Sequence, residues 1–425
     1  MKKFFAILLA LVMVLSLAAC SASNSGDGDT TEITLWTYPV GNWGDEATVN
    51  EILADFNKVH PEIKVSVEFL AYGGDGDNKI ESAIENNEAP DVVFEGPERL
   101  VANWGARGIM VDLSDLWTDE VKNDTYGVVE AACKNAEGKY FEYPLCMSAH
   151  CMAINKTMFE AADAMKYLDA ENHTWTTENF LKAVQAVKDL KPGTEEVGVI
   201  YCNGISGDQG TRALVNNLFS GAFTNPEHTA YTADSAENVK ALETLASMDS
   251  LLISSDITGD MAADNFAQGL ESMTFCWNAA AHAQRAGIIG DNFEVLPMAF
   301  PSEDGKPELV GGAWGFGVFD NGDQAKIDAA KTFIQWAVDE NAVNSVTASD
   351  LWSTRKSLQD MYADDELKSV YGSFMPYVGD YYSVIPGWSE ARTAWADMLG
   401  SIAKGTPAKE AAESFVKVAN EAAGV

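Results

Sequence analysis

The sequence predicts an α/β chain folded as two lobes, and three observations carry that expectation. A length of 425 residues at 47% hydrophobic content is enough to bury a large core and to form two domains. A strand, a helix and a second strand follow one another from Ile33 to Phe69, the order of a right-handed parallel unit. The run Tyr143 to Lys156 is long, extended and free of turn signals, which suits a strand passing from one domain to another.

Charge narrows the partners. Lys and Arg number 28 against 64 Asp and Glu, a net charge of −36. So acidic a surface repels phosphate backbones, which excludes nucleic acid as the expected partner and favours neutral or cationic solutes. Metal chemistry is not expected either. The five His residues are scattered, and the Cys residues show no Cys-x-x-Cys spacing. Cys133, Cys146, Cys151, Cys202 and Cys276 read as buried small hydrophobes. Cys146 and Cys151 lie five apart in one extended run and so point to opposite faces.

The amino terminus reads as a secretory signal: Lys2 and Lys3 precede an apolar run from Phe4 to Leu17, too short for a stable membrane span. It ends Leu17-Ala18-Ala19-Cys20, which resembles a bacterial lipobox. That resemblance implies cleavage before Cys20 and a diacylglycerol on its sulfur. Residues 1–19 are then the signal, and 20–31 a lipidated Cys and a Ser/Gly/Asn/Asp tether with nothing to bury.

From there the elements follow in order. Ile33 to Thr37 is a strand, with Trp36, Tyr38 and Trp43 close behind. Thr48 to Val59 is a helix, with Ile52, Leu53, Phe56 and Val59 at helical spacing and Pro61 as its stop. Ile63 to Phe69 alternates strictly as a strand. Tyr72 to Asn78 reads as a solvated Gly/Asp loop, and Lys79 to Asn86 as a helix. Asp91 to Phe94 is a short apolar strand halted by Gly96 and Pro97, with Glu95, Glu98 and Arg99 at its end. Carboxyl ends of parallel strands are where open α/β sheets bind ligands.

Beyond the crossing run, Thr176 to Glu178 suit a helix start, with Phe180, Val184 and Val187 on its apolar face. Val197 to Tyr201 is a buried strand, Cys202 to Gly210 a polar loop, and Ala236 to Ser247 a helix. Strand-like runs follow around Met273 to Trp277 and at Glu294 to Pro301. Gly311 to Val318 is Gly-rich, and glycines tolerate the φ changes that a hinge needs. Its spacing is not that of a dinucleotide loop. Ala325 to Asp339 is an amphipathic helix with Ala330, Phe333, Ile334 and Ala337 inward. Thr406-Pro407 starts the final helix.

Several of these stretches resemble one family. Ala89-Pro-Asp-Val-Val-Phe with Glu98-Arg99, the Gly108-to-Trp117 segment, Tyr143-Pro to Asn155-Lys156, and Met273-Thr-Phe-Cys-Trp277-Asn278 are similar to the extracellular solute-binding proteins of ABC importers, the maltose-binding-protein-like group. The resemblance covers nearly all of the mature chain. It implies a two-lobed, type II periplasmic-binding-protein-like fold, with lobes at 32–147 plus 312–365 and 148–311 plus 366–425. Each lobe is expected to hold a mainly parallel sheet, with a solute between them. It further implies a carbohydrate ligand, ABC permease subunits as partners, no cofactor, and a lipid-anchored monomer on the extracellular face of a Gram-positive membrane or on the periplasmic side.

The resemblance carries site residues with it. Glu98 and Arg99 match an adjacent acid and arginine that contact sugar in the family. Glu95 stands where a stacking tryptophan is found, and Ser148 where a sugar-binding glutamate is found. These departures put maltose itself in doubt. Trp277, with Asn278 beside it, sits two residues early relative to the family's aromatic, and Arg355 lies in a turn that resembles a pocket-side turn. A sugar ring offers an apolar C–H face and a hydroxyl rim, so indoles and carboxylates together suit it. The 11 Trp residues include Trp36, Trp43, Trp277, Trp314, Trp352 and Trp388 where strands end or lobes join, whereas Trp104, Trp117, Trp336 and Trp395 read as core. The alternatives are a binder of a polyamine or a glycerol phosphate and, further off, a carbohydrate-active enzyme. No nucleophile elbow, metal constellation or phosphate loop supports the last of these.

Overall fold

In the computed structural model the described residues are 30–71, 74–190, 196–204, 207–379, 385 and 387–425. Cys20, the signal and most of the tether lie outside them. Eleven strands are seen in chain order: β1 (Thr31–Thr37), β2 (Ile63–Phe69), β3 (Val92–Glu95), β4 (Tyr143–Ala149), β5 (Cys151–Asn155), β6 (Gly198–Tyr201), β7 (Leu251–Ser254), β8 (Met273–Trp277), β9 (Val295–Met298), β10 (Gly311–Val318) and β11 (Trp352–Ser353). One six-stranded sheet has the order β11-β4-β10-β3-β1-β2. A second region holds the sheet β8-β5-β9 and the pair β6-β7.

The first sheet begins as the sequence predicts. β1 pairs in parallel with both β2 and β3. Asp45 caps the intervening helix, Glu46–Val59, by accepting from the Thr48 N–H, and Val49, Ile52, Leu53 and Phe56 are buried along one face. Val59 keeps the register but is exposed at the last residue of the helix.

The expectation of mainly parallel sheets needs correction. β10 runs antiparallel to both β3 and β4, β11 is antiparallel to β4, and β5 is antiparallel to β8 and β9; only β6 and β7 add another parallel pair. The physical reason lies in the connections. β4 leaves the first sheet for the second, and β10 comes back, so the returning strand must oppose those that run outward.

Three segments run side by side between the sheets. His150 donates its backbone N–H to Val310 O at 2.8 Å, Leu309 donates to Tyr377 O at 2.7 Å, and Gly379 donates to Leu309 O at 2.9 Å. Residues 149–151, 309–311 and 377–379 therefore form a narrow backbone-bonded strap.

Each region has its own aromatic core. In the first, Trp43 packs on Phe94 and Phe316, and Phe56 on Phe333 and Trp336. In the second, Phe223 packs on Tyr231, Trp395 and Phe415. Trp104, Trp117, Trp336 and Trp395 are all buried, as expected of core tryptophans. The five described cysteines are free, and all but Cys276 are fully buried. Among the described residues, no group of His, Cys, Asp and Glu is placed to hold a metal ion, and no helix is long and apolar enough to cross a membrane.

Candidate ligand-binding site

The carboxyl end of β3 builds the first wall. Gly96 breaks the strand, and Pro97–Arg99 turns into a short helix that continues to Gly105. Arg99 donates Nη1 to Glu95 and Nη2 to Asp77 Oδ1 at 3.1 Å, and its guanidinium lies 4.8 Å from the centre of the Tyr38 ring. Tyr38 donates its hydroxyl to the same Asp77 oxygen at 2.8 Å. A side chain at position 96 would come within 2.8 Å of Glu98 Oε2 and 3.2 Å of Ala313 O, so glycine there leaves room for the Glu98 carboxyl beside β10.

This wall is rich in acids. Burial raises the pKa of Glu98, and burial together with the neighbouring Glu98 raises that of Glu95. Glu142, just before β4, is fully buried, and neither of its carboxyl oxygens has a hydrogen-bond partner. Burial first, then Glu98 and Glu95, push its pKa well above the usual range. One oxygen each of Glu95 and Glu98 is likewise buried and unpartnered. Burial thus favours the protonated form of all three carboxyls, and a protonated carboxyl donates as well as accepts.

The facing wall comes from two helices of the second region, Asp208–Leu218 and Trp388–Ala403. Asp208 Oδ1 accepts from Arg392 Nε at 3.0 Å and Nη2 at 2.6 Å, while Oδ2 accepts from Arg212 Nε at 2.9 Å. Burial would raise the Asp208 pKa, but the two guanidiniums hold it below the ordinary value. The charge of Arg392 reaches Glu98 on the opposite wall and favours its ionised form. Trp388 opens its helix, half-buried, beside Arg212.

Between the walls lie the crossing strands. Ser148 and Trp314 are half-buried there, Ser148 faces Gly312 in register, and the Trp314 ring covers Gly312 so closely that a side chain at 312 would strike it. His150 lines a cavity of about 230 Å³ with Gln209, Asp260, Trp277, Asn278 and Arg285 among others. Burial pushes the His150 pKa down to about 4, so its ring is neutral at pH 7.

The structure therefore divides the residues expected from sequence. Tyr38, Glu95, Glu98 and Arg99 come together on one wall; Ser148 and Trp314 lie at the crossing, and Trp388 on the other wall. Trp277 and Asn278 line the smaller cavity. Trp277 is only 1% exposed, its ring packs edge-on against Phe266, and its Nε1 donates to the Tyr371 hydroxyl at 2.8 Å. It offers an edge, not a stacking face. Asn278 uses its side-chain oxygen to cap the helix Ala279–Ile289.

Three residues belong elsewhere. Trp43 is wholly buried against Phe94 and Phe316, so its ring is core. Trp36 lies lower on β1 with Lys79 5.4 Å from its ring centre, outside the Arg99 cluster. Arg355 is bound to Asp339 at 3.0 Å and to Thr125, and lines a separate cavity of about 580 Å³ with Tyr143 and Leu116.

Sequence reasoning missed Asp77, Asp208, Gln209 and Arg392. The first three fall in stretches read as polar loops, where the helices Gly74–Glu85 and Asp208–Leu218 in fact begin or run. Arg392 follows Trp388 by four residues, the spacing that places both on one helix face, and that signal was available.

Comparison with known proteins agrees with this architecture. Residues 41–343 match the family described as bacterial extracellular solute-binding protein. The melibiose/raffinose/stachyose-binding protein MelE of Bacillus subtilis is 28% identical over 199 residues, 46% of this chain and 42% of MelE. An arabinooligosaccharide-binding protein of the same organism is 28% identical over 256 residues, 58% of this chain and 55% of that protein. The matched stretches thus span about half the length of these curated relatives. Among solved structures, the sugar-binding protein MalE of Xanthomonas citri superposes with a TM-score of 0.77 over 93% of this chain and 98% of its own, at 15% identity. The cyclic α-maltosyl-1,6-maltose binding protein of Arthrobacter globiformis gives 0.72, over 93% and 99%, at 18% identity. These likenesses fix the fold as the two-lobed, periplasmic-binding-protein type. With the family match covering most of the chain, the conclusion is that this protein belongs to the bacterial extracellular solute-binding proteins.

Proposed function

We propose that the chain is the carbohydrate receptor of an ABC importer, capturing an oligosaccharide between its lobes and delivering it to permease subunits. The observation that carries the carbohydrate reading is the pairing of two unlike walls. One is lined by Arg99, Asp77 and carboxyl groups that both donate and accept; the other presents the Trp388 indole beside Arg392. A hydroxyl rim fits the first wall and an apolar ring face fits the second. The two Bacillus subtilis relatives, one named for melibiose, raffinose and stachyose and the other for arabinooligosaccharides, point the same way.

The lobes are taken as 32–147 plus 312–365 and 148–311 plus 366–425, with the three-segment strap as hinge. The ligand-contacting set is Glu98, Arg99, Ser148, Trp314 and Trp388, joined by Asp77 and Arg392, while Tyr38 and Glu95, wholly buried, hold Arg99 and Asp77 from behind. Trp277, Asn278, His150 and Gln209 line the adjoining cavity as an outer contact. Cys20 carries the lipid, and the body works as a monomer at the outer membrane face without a cofactor and without turning over its ligand.

Calorimetric titration of the purified chain with melibiose, raffinose, stachyose, arabinotriose and maltotriose tests this. Saturable binding of at least one, with the saccharide recovered unhydrolysed, is the expected result. Binding of spermidine or glycerol 3-phosphate in place of every saccharide would overturn the carbohydrate assignment, and release of shorter sugars would make the chain an enzyme.

A further inference from the structure

Arg212 has no place in the ligand-facing set, yet it is one of the largest fully buried side chains, 1% exposed. Its guanidinium carbon lies 4.8 Å from the centre of the Trp388 ring and 5.1 Å from that of Phe223. Its Nε is bound to Asp208, the carboxylate that also holds Arg392. One buried cation therefore touches one cleft side chain directly and the other through a shared anion.

The backbone leaves Trp388 in need of such a hold. Trp388 is the first residue of its helix, and the residue before it, Gly387, has φ +76° and supplies no side-chain cap. A side chain at 387 would come within 2.5 Å of the Ala422 backbone, so only glycine makes this entry. Trp388 packs against the core, with Phe223 edge-on at 5.9 Å and Arg212 as its aromatic and cationic neighbours.

The charges explain why the partner is an arginine. Asp208 carries one negative charge and binds two guanidiniums. Arg392 alone would balance Asp208, so Arg212 is not required for neutrality. A planar cation over an indole is instead a strong orienting contact when desolvated.

We propose that Arg212 is a positioning residue for ligand capture: it clamps the Trp388 indole by cation–π contact and sets the Arg392 guanidinium through Asp208, so that ring face and donors are presented together. The inference rests on the carbohydrate reading for its ligand, but not for its structural part.

The test uses the full mature chain with Arg212→Met and Arg212→Lys variants. Met keeps the stem and leaves the Asp208–Arg392 pair intact; Lys keeps the charge but loses the planar fork. The Trp388 indole N–H resonance, assigned by Trp388→Phe, is recorded without ligand, and raffinose affinity is then measured by calorimetry. The Trp395 Nε1 bond to Thr211 at 3.0 Å still joins the two helices in both variants. In Arg212→Met the Trp388 resonance is expected to shift and broaden and raffinose affinity to fall at least tenfold, with Arg212→Lys between Met and the parent. A lowered melting temperature with an unmoved Trp388 resonance would make Arg212 merely structural and overturn the proposal. Should either variant fail to fold, the other is read by the same resonance, and an unshifted signal overturns the proposal equally. If the parent binds none of melibiose, raffinose, stachyose, arabinotriose and maltotriose, the carbohydrate reading is what suffers, and the ligand-free Trp388 signal still decides the role of Arg212.

Discussion

At the scale of residues, the acid-rich wall carries two predictions. Arg99 is the cation that Glu95 and Asp77 share. Arg99→Ala is expected to weaken saccharide binding at least tenfold, since charge-assisted hydrogen bonds are worth about 1.5–3 kcal/mol. The chain should stay folded by circular dichroism, because the carboxyl groups it leaves behind can protonate. An unchanged dissociation constant would place the ligand elsewhere. Glu142 gives a pH signature. Its folded pKa is raised by burial and by Glu98 and Glu95, so the folded chain keeps a proton that the unfolded chain releases. The associated stability is full below the ordinary glutamate pKa. It declines as pH rises toward the folded value, by up to about 1.4 kcal/mol per pH unit. Glu271, raised to about 7 by burial, adds a slope of the same sign that ends near that pH. Glu142→Gln has no proton to lose, so its melting temperature should gain on the parent steadily from pH 5 to pH 8. Parallel melting curves across that range would show that Glu142 is not held neutral.

At the scale of elements, β10 offers a sharper contrast. An extra carbon at Gly315 would lie 2.6 Å from Pro144 Cα and closer still to Tyr143 O, both backbone of the adjoining strand. At Gly312 its three nearest atoms would all belong to the Trp314 ring. Gly315→Ala must therefore spread β10 from β4, at a cost of about 1–3 kcal/mol, read as a clear fall in melting temperature. Gly312→Ala should leave the melt nearly unchanged and alter tryptophan fluorescence and saccharide affinity, because a ring can swing where a backbone cannot. The reverse pattern would mean that Trp314 is not at the crossing. The same strand shows what the sequence conveys and what it conceals. Alternation at Ile63 to Phe69 and helical spacing at Ile52, Leu53 and Phe56 are local signals, and those elements are where they were expected. The direction of β10 is not local, since it depends on the chain having left for another sheet and returned. Glu98 and Arg99 were legible because a strand end followed by Gly-Pro exposes whatever comes next. Trp43 was misplaced because an indole near a strand end looks alike whether it faces a cleft or the core; burial is decided by Phe94 and Phe316, which are distant in sequence. Asp77 and Asp208 were hidden because Gly-rich, acidic stretches read as loops while the first turns of helices use the same residues.

At the scale of the molecule, the two walls belong to different sheets joined by a strap of three segments, bonded chiefly backbone to backbone. Such a strap resists shear but permits rotation, since a few φ and ψ angles in three short segments can absorb a hinge motion. Each lobe keeps its own aromatic core, while Trp352 against Tyr371 and Lys368 joins the lobes beside the strap. Burial favours the protonated form of Glu98 and Arg392 opposes it from across the gap, whereas the net charge of −36 repels throughout. The unliganded balance should thus shift with ionic strength, because screening weakens the diffuse repulsion between exposed charges more than it weakens a partly buried pair. A ligand that touches both walls adds differential affinity for the closed form, and that difference sets how far the population moves. Small-angle scattering of the mature chain checks this in one series. The radius of gyration should fall on adding a bound saccharide and fall slightly with salt in its absence, and Glu98→Gln should keep the salt response, because the screened repulsion is spread over the whole acidic surface. A radius that ignores both ligand and salt would mean that the lobes are locked in one arrangement and that capture proceeds without closure.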